Sequence, residues 1–195
     1  MAIVATSAWA AVILQFVYNK GTIFNFFSYF TILTNLLVAA SLTCVLLIPN
    51  TKFGRLFSLL TAQTGVALYI AIVAIVANTL LVGLVDLSGI EWVLDKMLHV
   101  VNPILYLVFW WFFRTKGTLH LHDGIYWLVY PVLYLVYTMI RGAVLHWYPY
   151  PFLNADKLGY GRVSLNIGVM LLVFLAAGLL LVYFTRAIRR QPVME

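Results

Sequence analysis

Two segments of this chain put the residue types of acyl-transfer chemistry inside runs that are otherwise apolar. The first, FNFFSYFTILTNLL (Phe24 to Leu37), threads Asn25, Ser28, Thr31, Thr34 and Asn35 among aliphatic and aromatic side chains. The second, DKMLHVVNP, sets Asp95 four residues before His99 and Asn102 three residues after it. At those spacings all three share one helical face. A hydroxyl beside an imidazole that a carboxylate orients is the general arrangement of nucleophile, base and orienter. Thr31 is thus the candidate nucleophile, His99 the candidate base and Asp95 its orienter. Asn35, Asn102 and Asn78 are candidate donors to a tetrahedral oxyanion. A blander reading stands beside each. Serine and threonine in apolar helices bond back to a carbonyl one turn earlier or glue helices together. A lone histidine is often hydrogen-bonded packing, and Lys96 could simply neutralise Asp95.

Further along, Arg141 is the candidate partner for a substrate carboxylate, because its planar fork binds such a group bidentately. Its alternative is an interface anchor. Lys20 and Lys96 are weaker candidates that could only snorkel. In HWYPYPFLN (His146 to Asn154) two prolines prevent a regular helix. Its aromatic residues, Trp147 and Tyr148 among them, read either as an interface belt or as a lid over a pocket. His120 and His122 lie in the short loop RTKGTLHLHDG, with Asp123 the one acidic neighbour, and read as solvated rather than metal-binding. Cys44 is the one cysteine, so neither a disulfide framework nor a cysteine metal site is expected. No cofactor is called for.

The solvent follows from composition. Hydrophobic residues make up 64% of the 195 and charged residues 9%, and the mean hydropathy is +1.00. A soluble domain carries roughly 25% charged residues, so this chain is expected to be an integral membrane protein. A crossing helix needs about 20 apolar residues. Charged and Pro/Gly punctuation leaves six such runs, at about 2–18, 22–48, 57–84, 92–113, 124–144 and 160–184. They are continuous rather than alternating, which argues against a transmembrane β-barrel. The predicted fold is therefore all-α, a single polytopic domain of six transmembrane helices spanning residues 1–195.

The formal charge of +6 reads as topology, not as a nucleic-acid footprint. Lys52, Arg55, Arg114, Lys116, Arg186, Arg189 and Arg190 fall on one face; Lys20, Lys96, Arg141, Lys157 and Arg162 fall on the other. The excess on the first face, tipped by the RAIRR cluster, predicts cytoplasmic termini. Thr31 and His99 then lie about nine and seven residues into spans that both run inward, on the order of 10–14 Å deep. Asn78, Asn102, Arg141, Ser164 and Asn166 favour the same half. Polar groups in hydrocarbon are costly unless they meet one another or line a cavity. A polar pocket opening toward the outer half is expected.

FFSYFTILTNLL, DKMLHVVNP, WLVYPVLYLVYTMIRG and HWYPYPFLN, in that order, resemble the androgen-induced-protein family of six-span membrane proteins, and its short bacterial branch above all. The likeness runs over nearly the whole chain. It implies a bacterial inner-membrane protein that hydrolyses fatty acid esters of hydroxy fatty acids, with Thr31 and His99 at the positions of the family's intramembrane threonine and histidine. Thr34-Asn35 stands where animal members have an acidic residue, and the proline after His99 comes one residue earlier. The expected partner is a lipid or fatty-acyl ester within the bilayer. A non-catalytic lipid-binding protein and a small transporter are the competing classes. The absence of an internal repeat and the outward skew of the polar residues count against a transporter.

Overall fold

The apolar runs fold as helices, but their ends fall where local chemistry sets them. The computed structural model describes residues 1–189, and among these the chain is all-helical with no β-strand. Arg190 of the basic cluster lies outside the described residues. Contacts divide the chain into two compact units, Met1–Gly117 and Thr118–Glu195.

The first unit holds α1 (Ala2–Val17), the short α2 (Ile23–Phe26), α3 (Phe30–Leu47), α4 (Lys52–Ser58) and α5 (Leu60–Thr79). It continues with α6 (Gly89–Lys96), a π-helical turn (Met97–Val101) and α7 (Asn102–Phe113). α1 packs on α3, α3 on α5, α5 on α7, and α7 returns to α1, closing a four-helix ring. Ala8, Ala11, Val38 and Ala39 are completely buried; side chains this small let apolar helices approach closely. Hydrogen bonds join α5 to α7: Trp110 Nε1 donates to Thr64 Oγ1 at 3.0 Å and Tyr106 Oη to the Gln63 carbonyl at 3.2 Å.

In the second unit, α8 (Leu121–Tyr126) and α9 (Val129–Leu145) both pack on α10 (Ala155–Arg189), and a 3-10 turn at Pro151–Leu153 lies between α9 and α10. α8 starts where the His120 backbone N–H donates to Asp123 Oδ2 at 2.6 Å. Gly159, at φ 76°, marks a kink within α10.

Among the described residues, five stretches are long and apolar enough to cross a membrane: Phe30–Leu47, Leu60–Thr79, Gly89–Phe113, Leu121–Leu145 and Ala155–Ala187. That set is compatible with a membrane protein. The sixth expected run, 2–18, folds as the 16-residue α1. At 1.5 Å per residue α1 is about 24 Å long, short of the roughly 30 Å hydrocarbon thickness. The run expected over 22–48 is not one helix. Ser28 Oγ donates back to the Phe24 carbonyl at 2.6 Å, and Tyr29 is extended at φ −83°, ψ 126°. α2 ends at Phe26 and α3 begins at Phe30, so Thr31 falls in the first turn of α3.

Candidate functional site

α3 and the α6–α7 stretch bring Thr31 and His99 together. Thr31 Oγ1 lies 3.2 Å from His99 Nε2, although 68 residues separate them in sequence. On the other side of the ring, His99 Nδ1 lies 2.7 Å from Asp95 Oδ1. A carboxylate can only accept, so the neutral imidazole carries its proton on Nδ1 and turns the Nε2 lone pair to the threonine hydroxyl. Thr31 is buried at 7% exposure, and the side chains of His99 and Asp95 are 17% and 26% exposed. Lys96 Nζ pairs with Asp95 Oδ2 at 3.3 Å and lies over the Trp92 ring, 5.9 Å from its centroid. Lys20 pairs with Glu91 instead.

The floor beneath this relay is apolar. Ala11, Val12, Phe26, Ile32 and Leu98 form one buried cluster, with Leu36 and Met97 packed against it. It joins α1, α2, α3 and the π turn, so the backbones carrying nucleophile and base share one packed contact.

The three asparagines take roles that spacing alone did not reveal. Asn35 Nδ2 donates to the Thr31 carbonyl at 3.0 Å and to the Leu98 carbonyl at 3.2 Å. Both amide hydrogens are thereby used, which removes Asn35 as an oxyanion donor. Asn78 Nδ2 donates to the Ala74 carbonyl at 2.8 Å and the His99 carbonyl at 3.2 Å, so its amide is likewise committed to backbone rather than to a substrate. Asn102 does not join the imidazole. It is completely buried; its Nδ2 donates to Asn35 Oδ1 at 2.9 Å, and its Oδ1 accepts from Ser7 Oγ at 2.7 Å. Ser7, a common small residue in an apolar helix, carried no signal in the sequence.

Arg141, Trp147 and Tyr148 belong to the second unit. The Arg141 guanidinium lies over the Trp147 ring, 4.7 Å from its centroid. The Tyr148 ring packs on Gly142 so tightly that a Cβ there would come within 2.0 Å of it. Thr138, one turn before Arg141 and Gly142, buries its Oγ1 without a hydrogen-bond partner. HWYPYPFLN is folded onto its own unit: Tyr148, Pro149, Tyr150 and Leu153 are buried, Tyr150 stacks on Phe152 at 5.3 Å, and Asn166 Nδ2 donates to the Phe152 carbonyl at 2.8 Å. Burial holds the Tyr148 phenol above its ordinary range, with Asp156 and Tyr160 adding to the effect. Ser164 is exposed. The His120 and His122 rings stack on each other at 5.1 Å.

The chain matches no family model, no curated protein and no solved structure.

Proposed function

We propose that this chain is an intramembrane ester hydrolase with Thr31 as nucleophile, His99 as general base and acid, and Asp95 as orienter. The observation that carries the reading is the continuous relay from Thr31 Oγ1 through both His99 ring nitrogens to the Asp95 carboxylate. In the first half-reaction Thr31 Oγ1 adds to the ester carbonyl as its proton passes to His99 Nε2. The tetrahedral intermediate collapses, the alcohol leaves with that proton, and the acyl group stays on Thr31. Water then adds with His99 as base, releasing the fatty acid and restoring the hydroxyl. Thr31 lies in the first turn of the 18-residue α3, whose positive dipole end favours the negative charge that develops on the attacked ester.

The resemblance to the androgen-induced-protein family supports fatty acid esters of hydroxy fatty acids as the substrate class. Within its own unit, Arg141 is the proposed partner for a lipid carboxylate, supported by its planar fork held over the Trp147 face. We read the chain as a six-crossing protein of a bacterial inner membrane with cytoplasmic termini. α1 would be the shortest crossing, extended by Tyr18 reaching toward headgroups.

The deciding experiment is labelling of the purified protein by an activated alkyl phosphonate, beside hydrolysis of a hydrophobic acyl ester. Wild type should react at Thr31; Thr31→Ala should neither label nor hydrolyse. Wild-type turnover in Thr31→Ala would make Thr31 helix glue and move the chemistry to another residue, whereas a wild type that neither labels nor hydrolyses would leave a non-catalytic lipid-binding protein as the better reading.

A further inference from the structure

The backbone around His99 is short of donors. In an α-helix the carbonyl of Leu98 accepts from residue 102 and that of His99 from residue 103. Here the Asn102 N–H is turned to the Met97 carbonyl, closing the π turn, and residue 103 is proline, which has no N–H. Two consecutive carbonyls, one of them the base's own, thus lose their helical partners inside an apolar helix, where an unsatisfied carbonyl is costly.

Both are met by side chains from neighbouring helices. Asn35 of α3 donates to the Leu98 carbonyl and Asn78 of α5 to the His99 carbonyl, each at 3.2 Å. Asn35 spends its other amide hydrogen on the Thr31 carbonyl at 3.0 Å, so one buried amide fastens the nucleophile's backbone to the base's. Its orientation is fixed in turn. Ser7 Oγ donates to Asn102 Oδ1, and the Asn102 amide donates to Asn35 Oδ1. Every donor in this chain points the same way, from α1 through α7 to α3.

A π turn carries about one residue more than an α turn, which rotates the faces on either side by roughly 100° relative to a straight helix. The direction of the His99 ring therefore depends on whether the turn is kept open. We propose that Asn35 and Asn78 are positioning residues: their amides stabilise the π turn imposed by Pro103 and so set the reach of His99 to Thr31. Calling that reach catalytic rests on the hydrolase reading; the clip itself does not.

The test uses the full chain in detergent with 15N-labelled imidazoles, the His99 signals being identified by their loss in His99→Ala. Asn35 is completely buried and its replacement risks misfolding, so the informative variants are Asn78→Leu, Pro103→Ala and the pair combined. Asn78→Leu should move the His99 ring resonances. It should lower kcat on a p-nitrophenyl acyl ester by about 10- to 100-fold, with KM within about twofold, as a shift near 1 Å in a reacting group does. Pro103→Ala returns an N–H to the His99 carbonyl, so adding Asn78→Leu to it should change neither resonances nor rate further. Unmoved resonances in Asn78→Leu, or losses that multiply in the pair, would overturn the proposal. If wild type neither labels nor hydrolyses, the hydrolase reading fails while the resonances still decide the clip.

Discussion

Replacing Asp95 with asparagine tests the relay at its least disruptive point. The side chain keeps its shape, but an amide can donate to His99 Nδ1, whereas the carboxylate accepts from it at 2.7 Å. The imidazole then gains a tautomer with its proton on Nε2, facing Thr31 Oγ1 at 3.2 Å. That tautomer cannot take the hydroxyl proton. The same exchange in a buried triad costs about 10⁴ in rate. Asp95 is 26% exposed and shares its carboxylate with Lys96, so water and the ammonium already dilute its hold on the ring. A loss of about 10²–10³ follows, equivalent to about 3–4 kcal/mol of transition-state stabilisation. The assay is the rate of phosphonate incorporation under single-turnover conditions, read beside thermal unfolding in the same detergent. Stability should change little, since Asp95 and His99 form a partly exposed i,i+4 pair, and such pairs contribute about 0.2–0.5 kcal/mol. A labelling rate within twofold of wild type in Asp95→Asn would refute the orienter role and return Asp95 to a simple partner of Lys96.

Other perturbations follow from the same contacts. Thr31→Ala and His99→Ala should each abolish ester hydrolysis, and the double variant should be little worse than either, because the two groups act as a unit; multiplicative losses in stopped-assay rates would separate them. Thr31→Ser should retain part of the activity, since it keeps the hydroxyl while losing the methyl that restricts its rotamer. Arg141→Lys should weaken binding of a fatty carboxylate more than of its neutral methyl ester, because the planar fork is lost; equal losses of affinity would make Arg141 structural. Gly142→Ala should destabilise the second unit by about 1–3 kcal/mol through overpacking against Tyr148, and an unchanged unfolding midpoint would contradict that packing.

Much of the helical plan was legible because apolar length is a strong signal. The stretch expected over 92–113 is the continuous Gly89–Phe113, and that expected over 124–144 lies within Leu121–Leu145. The break at Tyr29 was not legible, because the composition of the segment does not change across it. Asp95 and His99 could be paired from spacing, since residues four apart meet on a helix. The same rule misled for Asn102. The π turn between it and the ring shifts the register, and that turn follows from Pro103 together with carbonyls that only distant asparagines can reach. Asn35 and Asn78 were singled out as oxyanion donors, but their amides go to backbone carbonyls, which carry no sequence signature. Ser7 was invisible for the converse reason: its residue type is ordinary, and its role is defined wholly by Asn102.

The separation of 68 residues between Thr31 and His99 also bears on how the chain is made. Synthesis proceeds from the N-terminus, so a nascent chain that has emerged only as far as α5 holds the hydroxyl and neither the imidazole nor the carboxylate. Its threonine is then an ordinary alcohol, inert toward the ester-rich lipid around it. On the hydrolase reading, reactivity would arrive only when residues 95–102 dock against α1, α3 and α5, where Asn35 meets the Leu98 carbonyl and Asn78 that of His99. On that reading biogenesis itself would serve as the safety catch, and a chain truncated before α6 would carry the hydroxyl without the base that activates it.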